Sequence, residues 1–172
     1  MILVNHNDEK IGTMEKLEAH QKGLLHRAFS IFIFNSKGEM LLQQRALGKY
    51  HNGGLWTNTC CSHPLPGETV LAAASRRLVE EMGFTTLLSP AFNFTYNSTF
   101  ANGLTEHEFD HVFTGIYDGE IKSDGSEVCD YCFKTINDIE ASVQMYPQKY
   151  TQWFKIAFPK IKLFHKKNFT EL

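Results

Sequence analysis

Residues 69–84 constrain the fold more than any other stretch. Thr69 is a good N-cap and Gly83 a good stop, and Leu71, Ala74, Leu78 and Met82 recur between them on one face, which predicts a helix with a buried side. Arg77 and Glu81 fall one turn apart on another face, with Glu80 beside them. Such a helix needs an apolar surface to lie on, and strands on both sides of it in sequence supply one. Residues 27–34, with Phe29, Ile31, Phe32, Ile33 and Phe34, read as a buried strand. The turn Asn35-Ser36-Lys37-Gly38 sends the chain back through residues 39–45, whose apolar part is Met40, Leu41 and Leu42.

Further along, residues 92–100 and 104–117 read as paired strands around Asn102-Gly103, a hairpin signal. Residues 127–135 read as a last strand. Helices are expected over 137–146 and 149–164, separated by Pro147, with Pro159 placed to kink the second. Residues 11–20 read as an extended segment. Together these elements predict an α/β (α+β) fold with one core, and a single domain spanning residues 1–172.

Composition narrows the function classes. A net charge of -2 argues against a general nucleic-acid binder. No apolar run of about 18 residues exists, so no membrane span is expected. The start, Met1-Ile2-Leu3-Val4-Asn5-His6, lacks a basic region followed by a long apolar stretch, so a cytoplasmic protein with reduced thiols is expected. Cys129-x-x-Cys132 invites a zinc reading. Cys60 and Cys61, being adjacent, have the wrong spacing for the other half of such a site, and positions i and i+3 of a strand face opposite sides.

Two stretches carry candidate chemistry. In Trp56-Thr57-Asn58-Thr59-Cys60-Cys61-Ser62-His63-Pro64, an extended backbone would aim Cys61 and His63 to one side. The thiol and the imidazole can both move protons near neutrality, and the imidazole can bind a metal. The same stretch also reads as a buried cysteine and a surface histidine before a proline turn. In residues 104–117, Glu106, Glu108 and Asp110 share one face, and Phe109, His111 and Phe113 the other. His20, His26, His63, Glu106 and Glu108 are candidate ligands for a divalent ion such as Mn, Fe or Zn. Each alone also reads as an edge histidine or a solvated acid. On the helix, Arg77 can hold a diphosphate and Glu81 a Mg²⁺ bridging to it, while Lys16, Arg45 and Lys49 are basic residues that could complete an anion pocket.

The helix resembles the Nudix box, in which Gly is followed after five residues by Glu, and after seven more by Arg-Glu-apolar-x-Glu-Glu-x-Gly-apolar. Glu68, Arg76, Glu80, Glu81 and Gly83 match it, Ser62 replaces the first Gly, and Arg77 replaces a Glu. A cation at that place argues against simple pyrophosphate hydrolysis. With Trp56-Thr57-Asn58, Cys61-x-His63-Pro64, Gly12-x-x-x-Lys16-x-x-x-His20, His26-x-Ala28-Phe29-Ser30, Arg45-Ala46, Glu106-x-Glu108 and Trp153, nearly the whole chain resembles type I isopentenyl diphosphate isomerases. The resemblance implies a Nudix-like mixed sheet flanked by helices, and a monomer or homodimer acting on a small prenyl diphosphate.

It also implies a set of roles. His20, His26, His63, Glu106 and Glu108 would hold one divalent metal (Mn, Zn or Fe). Glu81, with the Cys61 carbonyl, would bind a Mg²⁺ arriving with the diphosphate. Lys16, Arg45, Lys49 and Arg77 would bind the diphosphate itself. Cys61 and Glu108 would form the acid/base pair, Tyr96 would relay a proton near Glu108, and Trp153 would cover the hydrocarbon. In the forward direction the Glu108–Tyr96 side is expected to deliver a proton and Cys61 to remove one. A Nudix-type diphosphate hydrolase and a non-catalytic diphosphate-binding protein are the competing classes.

Overall fold

The computed structural model describes residues 1–49, 52–100 and 103–169, the last without the Phe169 side chain. In chain order its elements are β1 (Ile2–Val4), β2 (Lys10–Thr13), α1 (Lys16–Lys22), β3 (His26–Phe34), β4 (Met40–Arg45), β5 (Trp56–Thr57), β6 (Cys60–Ser62), α2 (Val70–Met82), β7 (Ser89–Thr99), β8 (Thr105–Ile116), β9 (Val128–Lys134), α3 (Ile136–Met145) and α4 (Gln152–Phe169). A turn of 3-10 helix over Pro147–Lys149 joins the last two helices.

The strands form one nine-stranded mixed sheet among the described residues. β3 is its spine. It runs parallel to β8, pairing His26 with Glu108 through to Phe34 with Ile116, and antiparallel to β6, pairing Ser30 with Cys61. β8 in turn pairs antiparallel with β7, placing Tyr96 opposite Glu108. β9 pairs with β4.

Alternation along β3 divides the core. Phe29, Ile31 and Ile33 face one layer, where Ala73, Ala74, Leu78 and Met82 of α2 meet them. Phe32 and Phe34 face the other, packed with Phe154, Phe158 and Ile161 of α4. A strand covered on both faces reads as a nearly continuous apolar run, the pattern that residues 31–34 show in sequence.

α2 begins at Thr69, whose side chain accepts a hydrogen bond from the Ala72 amide, and ends at Gly83 with φ 74°. Leu71, expected on the buried face, is exposed, and Ala73 takes its place beside Ala74. The buried stripe also carries Glu81, which is 5% exposed.

The extended reading of residues 11–20 needs correction. Only Lys10–Thr13 is strand; from Lys16 the chain is helical and stops at Gly23 with φ 61°. A Lys22–Glu18 pair at i,i+4 supports the short helix. Asn102 of the expected hairpin turn lies outside the described residues, while Gly103 has φ 81° and its amide bonds to the Phe100 carbonyl at 2.9 Å. α4 is continuous through Pro159.

Candidate active site

The last residue of β6, Ser62, pairs with Phe29 and is absent from the positive-φ residues, so the place where the Nudix box has Gly makes no demand here for its backbone freedom. The next residue, His63, is thereby carried to the end of β3 where His26 begins. His20 arrives from α1 and Glu108 from β8. One ligand atom from each of these four residues lies within 4.8 Å of the others. Glu108 Oε1 is 3.0 Å from His63 Nε2 and 3.5 Å from His26 Nε2.

The protonation pattern suits a metal. His26 Nδ1 lies 2.8 Å from the Leu24 carbonyl, which places its proton there and leaves Nε2 a lone pair. Nε2 of both His20 and His26 is buried without a hydrogen-bond partner, a costly state unless something takes up those lone pairs. Burial, with His26 and His63 beside it, holds His20 down at about 3. Burial likewise holds His63 at about 4, against the pull of Glu108. For Glu108 burial works upward, but the hydrogen bond with His63 and the His26 ring beside it keep the carboxyl well below its ordinary range. Neutral His20 and His63, together with the His26 ring and an ionised carboxylate, form a donor set that fits a divalent ion.

Glu106 stands outside this group of four. Burial and the Glu108 charge raise its carboxyl to about 8. Its Oε2 lies 3.2 Å from the Tyr96 hydroxyl, whose proton is donated to Glu108 Oε2 at 2.8 Å. Two carboxyls two residues apart thus hold opposite protonation states, with a buried tyrosine between them.

These groups open onto a cavity of about 210 Å³. Every site residue named from the sequence lines it except His26, which is fully buried. Trp153 is buried at its wall, and the Arg45 guanidinium lies 5.2 Å from the indole centroid. Burial pushes the Cys61 thiol up, with Arg45 acting in the opposite sense. Burial also lowers Lys16.

At the cationic end, Arg77 Nη2 bonds Glu81 Oε1 at 2.6 Å and Arg77 Nη1 bonds Glu80 Oε2 at 2.6 Å. Glu81 Oε2 accepts from Gln43 at 3.0 Å. Arg76 instead ties Glu68 to Glu80, a brace outside the cavity.

Sequence reasoning left two groups without a role. Glu127 lines the cavity and pairs with Lys49; an acid just ahead of the last strand gave no signal by itself. Asp110 shared a face with Glu108, but its burial at 1% exposure and its bond from Ser30 Oγ at 2.8 Å needed the strand partners in place. Cys129 is exposed and Cys132 half-buried, and neither belongs to the metal-ligand group found among the described residues.

The sheet, the helix it carries and the charge pattern on that helix define a Nudix domain, and the NUDIX domain family model matches residues 24–154. A solved structure from Deinococcus radiodurans superposes with a TM-score of 0.70 at 19% identity, covering 84% of this chain and 88% of that one. The MutT protein from Methanosarcina mazei Go1 gives a TM-score of 0.66 at 22% identity over 84% and 96%. At that identity the likeness is one of fold. Closer in sequence are proteins named isopentenyl-diphosphate Delta-isomerase. That of Pectobacterium atrosepticum is 50% identical over 94% of this chain and 90% of its own, and that of Serratia proteamaculans 49% identical over 90% and 86%. The chain belongs to the isopentenyl-diphosphate Delta-isomerase family of the Nudix superfamily.

Proposed function

We propose that this protein interconverts isopentenyl and dimethylallyl diphosphate, as one domain in a cytoplasmic setting. The observation that carries the reading is the Tyr96 hydroxyl donating at 2.8 Å to Glu108 on the same cavity as the Cys61 thiol. The π electrons of the terminal alkene take up a proton, and a tertiary cationic centre develops at the neighbouring carbon. A C–H bond on the far side of that centre then gives its electron pair to the new double bond and its proton to the protein. One proton enters and one leaves, so the site needs two proton-handling groups that exchange roles on reversal.

Cys61 and Glu108 are those groups, and Tyr96 holds a proton within reach of Glu108. In the free site burial keeps the Cys61 thiol protonated, so removing a substrate proton requires it to lose its own first, a change that Arg45 favours. A buried pocket walled by Trp153 keeps water from the cationic centre, and the indole face stabilises its charge. Lys16, Arg45, Lys49 and Arg77 bind the diphosphate.

His20, His26, His63 and Glu108, with Glu106 nearby, would hold one divalent ion, Mn, Zn or Fe. Glu81 and the Cys61 carbonyl would receive a Mg²⁺ with the substrate. These ions supply positive charge that fixes the carboxylates and neutralises the phosphates. Incubating the metal-loaded protein with isopentenyl diphosphate in deuterated water should yield dimethylallyl diphosphate carrying deuterium. Release of phosphate without the isomer would establish a hydrolase instead, against which Arg77 at the Glu place of the box already argues.

A further inference from the structure

Glu127 has no part in the proton transfers, yet it touches two of the cations assigned to the diphosphate. Its backbone is fixed: the Ala46 amide bonds to the Glu127 carbonyl at 2.9 Å, where β4 and β9 meet. Its Oε2 pairs with Lys49 Nζ, and its Oε1 lies 3.4 Å from Arg77 Nη2. The three side chains are similarly sheltered, with Glu127 and Lys49 at 24% exposure and Arg77 at 21%. Burial acts to raise Glu127, but Lys49 and then Arg77 hold the carboxyl below its ordinary value, so it is ionised at neutral pH. The two oxygens of one carboxylate therefore engage the same two cations that two oxygens of a phosphate would engage.

We propose that Glu127 is a built-in counter-anion: it holds Lys49 and Arg77 in place in the free site and surrenders both to the arriving diphosphate. The proposal rests on the diphosphate reading of this site and makes Glu127 a positioning residue. Breaking the two contacts opposes binding, so Glu127 weakens the grip on substrate and product diphosphate alike.

Titration of the holoprotein with inorganic pyrophosphate by calorimetry tests it. Glu127→Gln should bind pyrophosphate about three- to tenfold more tightly than the unaltered protein, and KM for isopentenyl diphosphate should fall more than kcat changes. Glu127→Asp, which keeps the charge, should return toward the original affinity. Lys49→Gln should weaken binding and shrink the effect of Glu127→Gln in the double variant. Equal or weaker pyrophosphate binding in Glu127→Gln overturns the proposal. A second readout uses the unaltered protein: the Glu127 carboxyl carbon should shift in NMR on saturation with pyrophosphate, and no shift overturns the proposal equally. Deuterium-labelled dimethylallyl diphosphate reports on the isomerase reading separately. Its absence would sink that reading, while the two pyrophosphate measurements decide the role of Glu127.

Discussion

At the scale of the residue, the informative contrast lies among three acids on one face of β8. Glu108 is held ionised, whereas Glu106 and Asp110 are both raised to about 8, chiefly by burial and then by the Glu108 charge. Glu106 bonds Tyr96 rather than joining the imidazole group, so Glu106→Gln should cost at most about tenfold in divalent-metal affinity. His26→Gln should cost more than about a hundredfold, because it removes a lone pair aimed at the centre. Metal titrations of both variants check this, and equal losses would contradict it. Asp110 has a pH signature. Its folded value lies above that of an exposed Asp, so the folded state binds the extra proton and the stabilisation is present below about pH 4. That contribution falls as pH rises toward 8. Asp110→Asn in metal-free protein should flatten this decline and be the more stable form at pH 7. Urea midpoints from pH 5 to 9 would show it, and parallel curves would refute it. The shared face of these acids was legible from alternation. Their division into one charged and two neutral carboxyls was not, since it depends on His26 and His63, which are distant in sequence.

At the scale of the element, α2 was the most legible piece because its signals are local. Cap, period and stop all lie within residues 69–83. The stop is also a packing requirement: a Cβ on Gly83 would strike the Lys122 carbonyl, and its φ of 74° disfavours any side chain. Gly83→Ala should therefore lower stability by at least about 2 kcal/mol, read as a drop in the thermal midpoint. An unchanged midpoint would mean that the loop at Lys122 gives way. α1 was misread for a related reason. It is only seven residues long, too short to display a period, and its exposed Leu17 weakens any apolar stripe. Its inner side is defined by Ala19 and His20, which become a buried face only when β8, and His26 at the start of β3, lie against them.

At the scale of the whole molecule, the ligand group joins α1, β3, the end of β6 and β8, so an ion bound there staples four separate segments of chain. Loading with a divalent metal at about a hundredfold excess over its dissociation constant should stabilise the fold by about 2.7 kcal/mol. Chelation should reverse that shift in a melting curve, and a midpoint indifferent to both would exclude a site shared by these segments. No described helix is long and apolar enough to cross a membrane. Local order, alternation along β3 and β8, the caps of α2 and the spacing of Cys61, His63, Glu106 and Glu108 are properties of neighbouring residues, and the sequence by itself determined them. It also determined the family, because the motif residues occur in a fixed order along the chain. Which acids ionise, which cations are already engaged and which lone pairs stand unmet were decided only by the tertiary structure. Those states come from burial and from charges that meet across the sheet, where separation along the chain no longer measures distance.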